Sequence, residues 1–185
     1  MKLPSVYTFL PLAFAISLLC GLVYVTAQQV LRQSANDPQI QLAEDLAGRL
    51  GQGQSVNSLV SLSPVDMAKS LAPFVIIYDE QGKVLAGSGQ LDAAVPQVPA
   101  GVLEHAKARG ENRLTWQPRP SVRNAIVVTH FASSAQSGFV LVGRSLRETE
   151  IREQQLEMEV LFVWLVTLVG AYCLMTVCSK QSTPV

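Results

Sequence analysis

Two long runs without a charged residue, one near each end of the chain, limit the fold more than any other feature. They extend from Val6 to Ala27 and from Val160 to Ser179. An α-helix rises ~1.5 Å per residue, so each run is long enough to cross a ~30 Å hydrocarbon core. We therefore predict transmembrane helices at residues 6–27 and 160–179, which would make the chain a two-pass membrane protein.

A cleaved signal peptide is the alternative for the first run. The sequence Val25-Thr26-Ala27 loosely fits a small-residue cleavage site. The apolar core of a signal peptide is typically ~7–15 residues, whereas this run is longer and its leader carries the single charge of Lys2. These features favour an uncleaved anchor.

Two spans would place both tails of the chain on the same side of the membrane. Lys2 and Lys180 carry the side-chain charges of the tails, and positive charge favours the cytoplasm. We expect the segment between the spans to be periplasmic or extracellular, with the chain in the inner (cytoplasmic) membrane. The formal net charge is zero, so no electrostatic attraction to nucleic acid is predicted.

The segment between the spans is about 130 residues long, the size of one ordinary domain. All 14 acidic residues of the chain lie in this segment. The cysteines, Cys20, Cys173 and Cys178, all lie in the apolar runs instead. The domain therefore has no thiol for a disulfide or for a metal site.

Residues 28–72 are expected to form a helical entry region next to the membrane. Asp37 can cap a helix whose first position holds Pro38, because that position needs no amide hydrogen. Apolar residues then recur at helical spacing up to Leu50, and Gly51-Gln52-Gly53 ends the helix.

A second, shorter helix is predicted further along this region. Ser63 could cap it, Pro64 would take its first position, and Asp66 would complete part of a capping box. We expect this helix to end near Leu71.

Residues 73–144 have the β-branched and aromatic composition of a sheet domain. The expected strands are Phe74–Tyr78, Lys83–Ala86, Arg113–Trp116, Arg123–Phe131 and Gly138–Gly143, with a helix at Gly101–Arg109. The intervening Gly87–Pro99 is a loop rich in Gly and Pro, and Gln117–Ser121 is expected to be a stiff connection. Short loops favour antiparallel neighbours, so we predict an α+β domain with one mostly antiparallel sheet of about five strands and helices over one face.

Residues 145–159 connect the last strand to the second span. This segment is highly charged and contains no Gly or Pro, so one continuous helix is expected from Ser145 to about Cys178. Such a stalk helix would either carry a movement of the sheet to the membrane or serve as a stiff support, and the sequence leaves both interpretations open.

Two segments carry a resemblance to a known class of proteins. The segment FVIIYDEQGKVLAGSG, Phe74–Gly89, looks like a first hairpin, and GFVLVGRSLRETEIREQQLE, Gly138–Glu157, looks like a final strand that passes into a signalling stalk. With its flanking spans, the chain resembles the extracytoplasmic PAS-like or Cache-like sensory region of bacterial membrane receptors, such as the sensor histidine kinases of two-component systems and chemoreceptors. The resemblance implies a PAS-like domain at residues 73–144 that holds a small-molecule ligand between the sheet and its covering loops.

The chain departs from such receptors after the second span. About six residues follow it, where a receptor would continue into a kinase or another output module. The expected function is therefore a sensor that signals through the second span to a partner protein, such as a kinase or another signalling subunit, unless the chain is part of a longer receptor. The resemblance also implies a homodimer. The alternative is a non-sensing accessory or assembly subunit of a membrane protein complex.

Residues suited to catalysis are scarce. The chain has 2 histidines, His105 and His130, and neither belongs to an HExxH or paired metal-ligand pattern. No serine lies in a nucleophile elbow. We therefore expect the protein not to be an enzyme and to bind no cofactor or metal.

Four residues are the candidates for a ligand-binding pocket: Trp116, Arg119, Arg123 and His130. An arginine could hold a carboxylate through two hydrogen bonds, and the tryptophan could form a wall of the pocket. In the alternative interpretation the tryptophan is a core residue, the arginines are solvated and the histidine lies at the surface.

Overall fold

The computed structural model of the protein describes residues 6–34, 37–60, 63–134 and 136–181, with side chains for residues 9–178 within these ranges. Its elements in chain order are α1 (Val6–Ser34), α2 (Asp37–Gly51), α3 (Val56–Leu59), β1 (Val65–Asp66), β2 (Phe74–Asp79), β3 (Val84–Gly87), β4 (Gly89–Gln90), α4 (Ala100–Arg109), β5 (Glu111–Arg119), β6 (Val122–Ala132), β7 (Ser137–Ser145) and α5 (Arg147–Gln181). The chain divides into a helical unit, built from α1 and most of α5, and a sheet domain, Arg32–Thr149.

The helical unit contains the two apolar runs. Helices α1 and α5 are both long and apolar enough to cross a membrane, and the most apolar 18-residue window of each has no buried residue. The two helices contact each other through an edge-to-face pair of the Phe9 and Tyr172 rings, whose centroids are 5.6 Å apart. The indole nitrogen of Trp164 also donates a hydrogen bond to the Ser17 hydroxyl at 2.9 Å. Lys2 and the Lys180 side chain, on which the predicted orientation depends, lie outside the described residues.

The predicted stalk and second span form one helix. Helix α5 is 35 residues long and therefore extends ~50 Å without interruption. It begins at Arg147, two residues later than predicted, because Ser145 is the last residue of β7. The continuous helix predicted from the charged, glycine-free sequence is confirmed.

The sheet domain is α+β, as predicted. Its main sheet has five strands in the order β3-β2-β7-β6-β5, and every neighbouring pair is antiparallel. A small second sheet pairs β1 with β4 in parallel. Strand β7, the last in the chain, therefore occupies the centre of the main sheet.

Both faces of the main sheet are covered, which corrects the expectation of helices over one face. Helices α2 and α3 cover one face, where Leu50 and Val127 belong to the core. Helix α4, β1 and the loop after β4 cover the other face, which we call the α4-side core and which includes Met67 and Ile126. The physical reason is that the central strands are apolar on both faces: Ile126, Val127 and Val128 are consecutive and fully buried.

The short helix predicted from Ser63 to Leu71 is wrong. The segment forms β1 and a turn, and the Val65 amide donates to the Ser88 carbonyl at 2.7 Å. The Asp66 carboxylate accepts a hydrogen bond from the Ala68 amide at 2.9 Å, which starts a turn instead of a helix. Pairing with β4, which is distant in sequence, therefore overrides the local helix signal.

The predicted connection Gln117–Ser121 is shorter than expected. Strand β5 continues to Arg119, and the turn is completed at Ser121, whose φ angle is 67°. The register between β5 and β6 shifts between Trp116 and Arg119. Because β5 is an edge strand and the register shifts there, Pro118 is accommodated although it has no amide hydrogen to donate. The other four predicted strands, α2 and α4 agree with the structure within two residues at most ends.

Candidate functional site

The junction between the sheet and the stalk is closely tied to the domain. The backbone amide of Leu146, the residue between β7 and α5, donates to the Arg123 carbonyl at 2.9 Å. The guanidinium of Arg147, the first residue of α5, donates to the Lys69 carbonyl at 3.0 Å. The junction between β7 and α5 is therefore bonded both to the start of β6 and to the segment that follows β1.

A second bond ties the same segment to the central strand. The Arg144 side chain donates from Nε to the Leu71 carbonyl at 3.0 Å. Residues 67–72 thus accept hydrogen bonds from arginines on both sides of the β7–α5 junction. Earlier in this segment, Met67 is 2% exposed and packs in the α4-side core. The segment therefore connects the interior of the domain to the stalk.

A row of three side chains crosses the main sheet at the end where the stalk begins. Asn124 on β6 is paired in register with Trp116 on β5 and with Ser145 on β7. Directly opposed residues of antiparallel strands point to the same face. Along β6, Asn124 lies two positions from each of the core residues Val122 and Ile126 and therefore shares their face, which is that of the α4-side core. We call these three side chains the polar row.

Asn124 is the unusual member of the polar row. It is 0% exposed, and neither its Oδ1 nor its Nδ2 has a hydrogen-bond partner among the described residues. Buried polar atoms are nearly always hydrogen-bonded, because desolvation without a replacement bond is unfavourable. An amide with both groups unpaired in an apolar layer is therefore a feature that packing alone does not explain.

The segment over the α4-side core is strained and fastened to β5. Asp92 and Ala93 form a tight turn with φ angles of 53° and 64°, a left-handed conformation that is unfavourable for residues other than glycine. The Arg119 guanidinium donates to both carboxylate oxygens of Asp92 at 2.8 Å. Nearby, Leu91 and Val95 pack onto the core. We call residues 91–98 the roof and the Arg119–Asp92 ion pair the latch.

A separate cleft lies between α4 and the β2–β3 turn. Its volume is about 330 Å³, and its lining residues are Glu80, Gln81, Gly82, Gln97, Val98, Ala100, Leu103, Glu104, Lys107 and Phe139. The Glu80 carboxylate accepts from Lys107 Nζ at 2.7 Å, and its other oxygen lies 2.7 Å from His130 Nε2. The hydrogen bond from Lys107, followed by that of His130, lowers the pKa of Glu80 to about 2. The carboxylate is therefore ionised and already engaged at neutral pH.

The structure does not bring the four predicted site residues into one pocket. Trp116 and Arg119 share one end of the α4-side face, the first as a core residue and the second as part of the latch. Arg123 alternates with Asn124 along β6, so its exposed side chain lies on the opposite face. His130 is six residues beyond Asn124, or ~20 Å along the strand, and lies beside Glu80.

The sequence predicts His130 as a site residue but not Asn124, Glu80 or Lys107. A weak signal for Asn124 was present, because it is a polar residue inside the β-branched strand sequence Arg123–Phe131. The Glu80–Lys107–His130 cluster carries no such local signal, since Glu80 and His130 are 50 positions apart and meet only through the pairing of β2, β7 and β6.

In the part of the chain that the structure describes, no group of three or more His, Cys, Asp or Glu side chains is arranged to hold a metal ion. The chain matches no protein-family model and no curated protein.

Proposed function

We propose that this protein is a membrane-anchored sensory module. Helices α1 and α5 would cross the inner membrane, and the sheet domain would lie in the periplasm or outside the cell. A small molecule or protein partner that binds the domain would shift the position of α5. A second protein in the membrane, such as a kinase or another signalling subunit, would receive that shift. The proposal agrees with the resemblance to PAS-like and Cache-like sensory regions.

The observation that carries the proposal is the double role of residues 67–72. Met67 and Ala68 pack against the α4-side core, so their positions depend on what fills that layer. The Lys69 carbonyl, one residue after Ala68, accepts a hydrogen bond from Arg147. The Leu71 carbonyl, two residues further along, accepts one from Arg144. A change in core packing would therefore reach the first turn of α5 through a very short length of chain.

Sensing requires that the ligand distinguishes two arrangements of the domain. The main sheet is a poor candidate for the moving part, because its central strands are mostly buried and are hydrogen-bonded on both sides. The roof and β1 are better candidates, since β1 and β4 are two-residue strands and the roof contains the strained turn. Binding that repositions these thin segments would move Lys69 relative to β7.

The membrane arrangement can be tested by labelling single cysteines. Cys20, Cys173 and Cys178 are first replaced by serine, and then Lys83→Cys on the domain or Ser182→Cys in the C-terminal tail is introduced. In intact spheroplasts, a membrane-impermeant maleimide should label the Lys83→Cys variant, and the Ser182→Cys variant only after permeabilisation. Labelling of the tail but not of the domain in intact spheroplasts would contradict the proposed orientation.

The coupling can be tested through the bond between Arg147 and the Lys69 carbonyl. A spin-label pair with one label on the domain and one on α5 would report the displacement when a ligand binds. Arg147→Ala should retain ligand binding but lose most of this displacement, whereas Arg109→Ala, at the end of α4, should keep it. An Arg147→Ala variant with the full displacement would exclude this bond as the route.

A further inference from the structure

The polar row offers a recognition surface with a definite pattern of hydrogen-bonding groups. The amide of Asn124 presents an acceptor, Oδ1, beside a donor, Nδ2, in one plane, and both are unpaired among the described residues. A group that presents a donor beside an acceptor can therefore form two parallel hydrogen bonds with it. Asparagine amides pair with the edge of a purine base in this way.

The neighbours of Asn124 add shape and a third polar group. Trp116 is 6% exposed and lies directly beside Asn124 in the sheet, with Cβ atoms expected ~5 Å apart, so it can offer a flat apolar surface. On the other side, the Ser145 hydroxyl accepts a hydrogen bond from the Arg147 amide at 3.3 Å and keeps its own hydrogen for donation. An aromatic surface beside an amide suits a flat molecule with a polar edge.

The polar row contains no ionisable side chain, and this determines the charge of its ligand. On the same face, the Arg119 guanidinium lies three residues beyond Trp116 along β5 and is engaged by Asp92 in the latch. Burying an unpaired charge in an apolar layer is strongly unfavourable. The ligand is therefore expected to be neutral when bound.

Access to the polar row requires the roof to move. The roof packs on the α4-side core, as do Met67 and Trp116. Strain in the Asp92–Ala93 turn favours release once the latch opens, because such left-handed residues persist only while the surrounding contacts hold them. Met67 can adapt to a new neighbour, since its unbranched side chain has three rotatable bonds.

We propose that the polar row is the binding site for a small, neutral, planar molecule with a donor and an acceptor side by side, that is, a carboxamide or the edge of an N-heteroaromatic base. The amide of Asn124 forms the paired hydrogen bonds, and Trp116 stacks against the ring. The inference rests on the proposed sensory function for its purpose, but binding itself can be measured independently of signalling.

The position of the site connects it directly to the stalk. Ser145 is the last residue of β7, and its hydroxyl oxygen is bonded to the first amide of α5. A ligand that accepts a hydrogen bond from the Ser145 hydroxyl affects the bond between that hydroxyl and the Arg147 amide. A ligand that displaces Met67 and the segment after it affects the bond between the Arg147 guanidinium and the Lys69 carbonyl. Binding and displacement of α5 thus share the same few residues.

The test uses the full-length chain in detergent micelles with Trp164→Phe, so that Trp116 is the one remaining tryptophan of the 2 in the sequence. Its fluorescence is titrated with nicotinamide and with adenine. Methyl nicotinate and 9-methylpurine are the matched controls, because they keep the ring but carry no N–H donor. We expect a saturable change with nicotinamide or adenine, and at least tenfold weaker binding of the matched control.

Two substitutions locate the site. Asn124→Leu removes both hydrogen-bonding groups but keeps the number and branching of the heavy atoms, and Asn124→Asp removes the donor, so each should weaken binding at least tenfold. Asn112→Leu is the control for a generally altered domain, because the Asn112 amide is already bonded to the Val102 carbonyl at 3.1 Å. It should leave binding unchanged in the fraction that remains folded.

The outcomes separate this inference from the proposed function. No saturable response to nicotinamide or adenine, equal affinity for the matched controls, or full affinity in Asn124→Leu would overturn the ligand site. Binding that depends on Asn124 but leaves a spin label on α5 at Glu153→Cys unmoved would support the ligand site and refute the sensory function. Binding with displacement would support both.

Discussion

Asn124 and Asn112 place the same residue type in two different settings of one domain. The Asn112 amide donates to the Val102 carbonyl, which joins β5 to α4. The Asn124 amide is fully buried and has no hydrogen-bond partner among the described residues. One asparagine therefore stabilises the fold, whereas the other carries the desolvation cost of a buried, unpaired amide.

Replacing Asn124 with leucine should stabilise the ligand-free protein. Leucine has the same number and branching of heavy atoms and carries no polar group, so the desolvation penalty of ~1–3 kcal/mol for an unsatisfied buried group is removed. Thermal unfolding followed by circular dichroism should show a higher midpoint than for the wild type. Asn112→Leu, which removes the hydrogen bond from the Asn112 amide to the Val102 carbonyl, should lower the midpoint. A lower midpoint for Asn124→Leu would mean that the amide is satisfied in solution.

Glu80 should make the stability of the domain sensitive to acid. Its pKa is lowered to about 2 by Lys107 first and His130 second, against an ordinary value of 4.5. The folded state therefore binds this proton less readily than the unfolded state, so the contribution is complete above pH 4.5 and is lost as the pH falls towards 2.

The acid sensitivity can be measured as the free energy of unfolding at several pH values between 7 and 2. The wild type should lose stability over the lower part of this range, and Glu80→Gln should lose less because it has no carboxylate to protonate. Lys107→Met removes the larger cause of the shift, so its loss should be intermediate. The same change in the free energy of unfolding with pH for all three proteins would show that the Glu80–Lys107–His130 cluster is not formed in solution.

Among the elements, β7 has the least tolerance for added atoms. A Cβ at Gly138 would lie 2.1 Å from the Tyr78 carbonyl oxygen, which belongs to the backbone of the neighbouring strand. A Cβ at Gly143 would lie 2.3 Å from Cζ of Phe74. Close approach of β2 and β7 at these two points therefore depends on glycine.

Gly138→Ala should destabilise the domain by ~1–3 kcal/mol or more, because a backbone oxygen cannot move aside as a flexible side chain can. Gly101→Ala is the matched control, since a Cβ at Gly101 meets no atom within 4 Å and alanine is favourable in a helix. Chemical denaturation of the two variants should give a lower midpoint for Gly138→Ala only. Equal midpoints would show that β2 and β7 can move apart at this point without a loss of stability.

At the scale of the whole molecule, the connection from the domain to helix α5 is short and is itself bonded to the domain. Helix α5 follows the central strand β7 after a single residue, and that residue and the next are bonded to the domain. Helix α1 leads towards α2 near residues 35 and 36, which lie outside the described part of the chain. These bonds at the start of α5 are the reason why the proposed displacement is assigned to this helix.

A charge in the middle of α5 should impair insertion into the membrane. Val169 lies within the apolar run and is 62% exposed, so its side chain faces the surroundings of the helical unit. Arginine near the centre of a transmembrane helix costs ~2.5–3.5 kcal/mol on the insertion scale. Val169→Arg should therefore reduce the fraction of protein that resists carbonate extraction, whereas Val169→Leu should not. Unchanged extraction of Val169→Arg would argue against α5 as a membrane span.

The sequence by itself determined the elements whose signal is local. The apolar runs predicted α1 and α5, helical spacing and helix-end residues predicted α2 and α4, and β-branched and aromatic runs predicted the five main strands. These features depend on the hydropathy and backbone preference of neighbouring residues, which the order of amino acids states directly. A glycine-free charged segment likewise predicted the continuous stalk.

Only the tertiary structure decided what depends on pairing between distant segments. The segment Ser63–Leu71 has the residues of a helix start, but pairing with β4 makes it β1 and a turn. The strand register places Asn124 in the α4-side core and Arg123 on the opposite face, and it brings His130 to Glu80, 50 residues away. Adjacent strand residues face opposite sides, so each such neighbourhood depends on register, which long-range packing sets and local sequence does not.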